Sequence, residues 1–251
     1  MKGQVGMRAG FQTIMSTLIL GVTLGVPAYA QVMPDPAVLV SAPRASLYNA
    51  PRQSGQSSVV RIKAVDAPTL HTENGRTGMG SDQRDGQGII IDPSGIILTN
   101  THVIGSHPQR IFVTLADGKT LEARPVYAGR VDFSFIKIEA NYPLKAMAWG
   151  DSTQVHVGNP VVALANLNAS TQGALGGQVT SLVKEETTGL EMFELNLPLK
   201  HGDSGGPILD QQGCLVGLIT ANSKTDARTS YAIVANNIQQ EYFKYKGSVL
   251  N

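Results

Sequence analysis

The stretch Lys200-His201-Gly202-Asp203-Ser204-Gly205-Gly206-Pro207 sets one serine among glycines, directly before the apolar pair Ile208-Leu209. Glycine on either side opens backbone dihedrals closed to other residues and lets the chain come close to a ligand. The amides of Gly202 and Ser204 can then point at one spot in front of the serine hydroxyl, which is how an oxyanion hole is built from main chain. Taken alone, the segment is equally a glycine-rich hairpin turn. A serine becomes a nucleophile only beside a base, and the base needs a group that fixes its tautomer. Of the histidines His71, His102, His107, His156 and His201, His102 has the setting for a base. It follows the apolar run Ile97-Leu98-Thr99 closely enough to be held rigidly while facing a cleft. For the acid, Asp132 enters the apolar run Phe133-Ser134-Phe135-Ile136-Lys137-Ile138, whereas Asp92, Asp117 and Asp151 neighbour Gly, Ser or Pro. In such turn contexts an aspartate mostly bonds its own backbone.

The elements that must carry these residues are short strands. Segments 58–64, 88–91, 96–99, 111–115, 120–123, 133–138, 160–165, 177–183, 191–195, 207–209, 214–220 and 230–234 read as strands, most of them bounded by Gly, Pro or Asn. Asp92-Pro93-Ser94-Gly95 and Asp117-Gly118 are hairpin signals. Helical spacing occurs near the end, where Ile238, Tyr242 and Tyr245 follow a capping Asn236 and Gly247 is the expected stop. The pattern predicts an all-β fold, an antiparallel barrel or sandwich with a short C-terminal helix. Residues 67–85 lack an apolar pattern and read as a long exposed loop, His71 and Glu73 included.

Composition limits the function classes. A formal net charge of +1 gives no electrostatic case for nucleic acid or an anionic membrane. Residues 1–30 begin with Lys2 and Arg8, run apolar from Phe11 to Val26 and end Ala28-Tyr29-Ala30, the pattern of a secretory signal cleaved after Ala30. The expected location is periplasmic or secreted, with no stable membrane anchor after cleavage. Residues 31–57, rich in Pro, Ala and Ser, read as a flexible arm. The single cysteine, Cys214, excludes an intramolecular disulfide and reads as a buried, inert thiol in an apolar run. No C-x-x-C or H-E-x-x-H pattern supports a metal site.

The order His102, Asp132, Ser204 is that of the chymotrypsin arrangement rather than of subtilisin or the α/β-hydrolases. The sequence resembles a trypsin-like serine protease of the HtrA (Deg) type. Gly88 to Val103, GIIIDPSGIILTNTHV, is similar to that family's strand-turn-strand before its histidine. Val113 to Ile138 is similar to the segment with its ADGK turn and acid motif, and Trp149-Gly150-Asp151-Ser152 with Val157 to Ala163 to a later motif. With the serine turn these motifs span most of residues 58–240. The resemblance implies a chymotrypsin-like pair of β-barrels, roughly 58–145 and 146–235, within a protease domain at 58–251. It also implies His102 as general base, Asp132 as orienting acid, Ser204 as nucleophile, and the amides of Gly202 and Ser204 as oxyanion hole. The substrates implied are polypeptides, and no cofactor is implied. It leaves room for a homotrimer through the Gln31–Gln56 arm.

The chain departs from the family pattern at Phe135, where an aliphatic residue is usual, and at Asp203, where asparagine is frequent. Asp203 is expected to be solvated or to pair with a cation such as Lys200. No PDZ domain is expected after the protease domain. By resemblance, Pro198-Leu199 is the floor of the specificity pocket, with Ile219, Thr220, Ala221 and Asn222 as one wall. The floor carries no carboxylate, so the expected preference is for small or aliphatic side chains rather than Lys or Arg. Two other functions stay open on sequence alone. One is a catalytically silent trypsin-like domain that binds unfolded peptide as a holdase, and the other an esterase using the same triad.

Overall fold

Strands that read as unbroken apolar runs are covered on both faces. The computed structural model describes residues 51–249 except 52, 54, 74, 75, 167–171, 187 and 224. The expected signal at 1–30 and most of the arm at 31–57 lie outside the described residues. Eight strands precede the midpoint of the described chain: β1 (Val59–Asp66), β2 (Thr69–Glu73), β3 (Arg76–Gly80), β4 (Gln83–Asp92), β5 (Ile96–Thr99), β6 (Pro108–Thr114), β7 (Thr120–Ala128) and β8 (Ser134–Ile138). Six follow: β9 (Pro160–Asn166), β10 (Gln172–Lys184), β11 (Glu191–Leu195), β12 (Pro207–Leu209), β13 (Leu215–Asn222) and β14 (Ser230–Val234). Helix α1 (Thr101–Ile104) follows β5, and α2 (Ala235–Val249) follows β14.

Two closed antiparallel barrels result, in the orders β1-β4-β5-β8-β7-β6 and β10-β11-β14-β13-β12-β9. With the β2–β3 hairpin set aside, the two barrels repeat one connectivity. Val60, Ile62, Ile90, Ile97, Ile111 and Ile136 fill the first interior, and Val161, Ala163, Phe193, Leu195, Ile208 and Ile219 are among those filling the second. A third core lies between the barrels, where Ile89 and Leu98 of the first meet Leu164, Leu209 and Leu218 of the second. Alternate residues of β4 and β5 therefore point into one barrel and towards the other, and every residue from Gly86 to Asp92 is buried. This double coverage removes the polar alternation a one-faced strand would show.

Residues 67–85 differ from the expected loop. Thr69–Glu73 and Arg76–Gly80 pair as a hairpin, with Leu70 opposite Met79 and both strongly exposed. Its base is closed by the Arg84–Asp66 ion pair and by Asp66 N–H donating to Asp82 O (3.0 Å). At the chain's end, Gly247 does not stop the helix, which runs to Val249. Asn236 is not the cap either. Its own N–H is capped by Ser152 Oγ (3.1 Å), while its Oδ1 accepts from Ser152 N–H (2.9 Å). Cys214 sits half-buried in the turn before β13, and burial, then the nearby Asp210 carboxylate, push its thiol up.

The turn aspartates bond their own backbone as expected: Asp92 from Ser94 N–H, Asp117 from Lys119 N–H and Asp151 from Thr153 N–H. Asp92 does more, because its Oδ2 also accepts from Tyr242 Oη (2.6 Å) and Lys246 Nζ (2.8 Å), which ties α2 to the first barrel. Burial works against its ionisation, but the bonds from Lys246, Tyr242 and Ser94 win and hold it well below the usual carboxylate range. A carboxyl with a lowered folded pKa contributes stability above its unfolded value, and that contribution is lost as pH falls through the folded value. Asp92→Asn should therefore cost about 2 kcal/mol at pH 7. In urea melts repeated under increasingly acidic conditions, the gap between variant and wild type should close only below the ordinary carboxylate range, about pH 4.

Candidate active site

His102 is the second residue of α1, three positions beyond Thr99 at the end of β5, with Asn100 as the link. Asp132 lies in the turn that feeds β8, the neighbour of β5 in the first barrel. Three contacts knit these ends together: Asn100 Nδ2 donates to Asp132 O (2.8 Å), Thr101 Oγ1 meets Ser134 Oγ (2.8 Å), and His102 N–H donates to Asp132 Oδ1 (3.0 Å). The imidazole then meets the acid directly, with His102 Nδ1 2.7 Å from Asp132 Oδ2. An ionised carboxylate only accepts, so in the neutral imidazole Nδ1 carries the proton and Nε2 the lone pair. Thr220 Oγ1 of β13 donates to the same Oδ2 (2.6 Å), a contact across the two barrels. Partial burial opposes ionisation of Asp132, yet bonds from the His102 ring, Thr220 and the His102 amide override it and hold the carboxyl below its ordinary value.

The turn that carries Ser204 is held by main chain. The Ser204 carbonyl accepts from Gln87 N–H of β4 (2.8 Å), and Gly205 N–H donates to Ile219 O (2.9 Å), so the turn bridges both barrels. Gly86 marks a close approach. A Cβ there would lie 2.7 Å from both Cγ atoms of Val103, the residue after His102, and 3.1 Å from Ser204 O. The helix carrying the histidine and the turn carrying the serine thus meet over one glycine. Gly205, at φ +84°, presses closer still, since a Cβ would come within 2.0 Å of Gln87 O.

The turn itself is set by Asp203. This residue is buried, which corrects the solvated alternative of the sequence reading, and its Oδ2 accepts from Lys200 N–H (2.8 Å). Asp203 N–H donates to Lys200 O (3.0 Å) while Gly202 takes φ +94°, the arrangement of a type II turn. Among the described residues, the amides of Gly202 and Ser204 donate to no protein acceptor. Open space surrounds the Gly202 Cα, with nothing within 4 Å of a Cβ built there.

The expected pocket residues separate into distinct roles. Asn222 Nδ2 donates to Leu199 O (3.0 Å), so the expected wall residue is bonded to the expected floor residue. Leu199 is buried and Pro198 exposed, Ala221 is exposed, and Ile219 packs in the second barrel's core. Thr220 spends its hydroxyl on Asp132. Among the other histidines, His107, His156 and His201 are exposed. Sequence reasoning missed Gly86 and Gln87, for which a glycine inside a strand was the available signal.

A trypsin-like peptidase domain matches residues 86–218, more than half of the chain. The chain belongs to this family, in its HtrA (Deg) type. The periplasmic pH-dependent serine endoprotease DegQ of Escherichia coli is 34% identical over 141 residues, 54% of this chain and 31% of DegQ. Serine protease HTR4 of Bos taurus is 31% identical over 178 residues, 66% of this chain and 36% of that protein. The HtrA-type domain thus matches about a third of the length of these relatives. A solved structure of the HtrA-type protease AlgW with a decapeptide shares the fold, with TM-score 0.67 and 20% identity over 80% of this chain and 67% of that one.

Proposed function

We propose that this HtrA-type domain is an exported serine endopeptidase that hydrolyses peptide bonds of unfolded or damaged proteins. The reading is carried by the 2.7 Å contact of His102 Nδ1 with Asp132, which leaves Nε2 as the basic atom. Ser204 is the nucleophile and His102 the general base that takes its proton as the hydroxyl attacks the substrate carbonyl. Asp132 fixes the tautomer and stabilises the imidazolium. The uncommitted amides of Gly202 and Ser204 receive the oxyanion, and His102 then returns its proton to the leaving amine. A second cycle, with water activated by His102, frees the acyl group from Ser204. Leu199 and the absence of a carboxylate at 198–199 favour small or aliphatic side chains before the scissile bond. Export is supported by the pattern of residues 1–30 and by the periplasmic relative.

Cleavage of an unfolded protein such as casein tests this function. The wild type should degrade it and Ser204→Ala should not, with a rate loss of about 10³-fold or more. Hydrolysis of small esters with no cleavage of casein would point to an esterase. Binding of casein without cleavage would point to a holdase.

A further inference from the structure

The acid turn is gripped from behind by an aromatic stack that nothing in the triad chemistry requires. Phe133, the residue after Asp132, is buried, and its ring stacks on Tyr127 of β7 at 6.1 Å between centroids with 25° between planes. Tyr127 also stacks on Phe135, its partner across β7 and β8, at 5.1 Å, and meets Tyr245 of α2 at 6.0 Å. The Tyr127 hydroxyl donates to Glu241 Oε2 of α2 (2.8 Å), and Glu241 is itself paired with Lys244 (2.7 Å). The loop wraps Phe133 tightly, because Gly129 N–H donates to Phe133 O (2.9 Å) and a Cβ on Gly129 would meet the Phe133 ring at 2.8 Å. Asp132 therefore hangs between two anchors, its own carbonyl held by Asn100 and the next residue held by the stack.

We propose that Tyr127 is a positioning residue for the acid: held from α2 by Glu241, its ring fixes Phe133 and so keeps the Asp132 carboxylate against His102. The proposal rests on the serine-protease reading above. A single peptide links the stacked ring to the acid, so a shift of Phe133 passes directly into the His102 contact. Catalytic geometry is sensitive on that scale, with about 1 Å of misplacement costing as much as 10²-fold in rate. A phenylalanine at 127 keeps the stack and loses the bond to Glu241, whereas a leucine loses both.

The test compares wild type, Tyr127→Phe and Tyr127→Leu by two readouts. One is the second-order rate at which a fluorophosphonate labels Ser204. The other is the low-field NMR resonance of the His102 Nδ1 proton, assigned by its loss in His102→Gln. In Tyr127→Leu, labelling should slow about tenfold and the resonance should move upfield and broaden, with Tyr127→Phe restoring the rate to within about threefold of wild type. If Tyr127→Leu does not fold, Glu241→Gln replaces it and should slow labelling about threefold with a smaller upfield shift. An unmoved resonance in the folded variants overturns the proposal, whatever happens to labelling, because Tyr127 would then act elsewhere than on Asp132. If the wild type does not label at all, the protease reading fails and the resonance alone decides the role of Tyr127.

Discussion

Asp132→Asn should lower kcat on a peptide substrate about 10⁴-fold while leaving KM nearly unchanged. The replacement has the same shape, and an amide oxygen in the Oδ1 place still accepts from the His102 backbone N–H, so the fold should survive. What changes is the sign of the contact at His102. An asparagine that turns its NH₂ towards Nδ1 makes that nitrogen an acceptor and moves the ring proton to Nε2, the atom that must take the proton of Ser204. The loss therefore belongs to the chemical step. Steady-state kinetics beside a thermal melt would check it, and a loss expressed in KM would show that Asp132 serves binding instead.

Gly205→Ala should remove Ser204 labelling altogether and destabilise the chain by about 3 kcal/mol or more. The added methyl would lie 2.0 Å from Gln87 O and 2.8 Å from Thr99 Oγ1, both in strands of the first barrel, and the residue sits at φ +84°. Nothing there can yield without opening the junction between barrels. Gly202→Ala supplies the contrast. Gly202 has a similar φ of +94° but open space around it, so only left-handed backbone strain of about 1–2 kcal/mol applies. Urea unfolding of both variants should rank them in that order. Equal losses would mean that backbone strain, and not the close approach to Gln87, governs the turn.

Much of the fold was legible because it lies in local pattern. The segments 96–99, 191–195, 207–209 and 230–234 have in the structure the bounds read from sequence, and the first three are each followed by a polar residue, Asn100, Asn196 and Asp210. The chain order of His102, Asp132 and Ser204, with the turn chemistry of the other aspartates, singled out which carboxylate meets the histidine. What escaped depends on register and on distant approach. Thr220 was read as pocket wall, but the register shift between Ile219 and Ala221 decides which way its side chain faces, and no periodicity shows a bulge. The hairpin at 69–80 was hidden because its sequence carries no apolar alternation, and its paired apolar residues Leu70 and Met79 are exposed. Helix α2 passes Gly247, and Lys246 just before it is bound to Asp92, a partner 154 positions away in the chain that no local pattern shows.

The most direct measurement is the mass and location of the adduct formed when the folded protein meets diisopropyl fluorophosphate. One diisopropylphosphorylated residue, mapped to Ser204 and lost in His102→Ala, is the result expected of a base-activated serine facing an oxyanion hole. A folded protein that takes no adduct, or takes it on another residue, would contradict the assignment of Ser204, His102 and Asp132 as one catalytic unit.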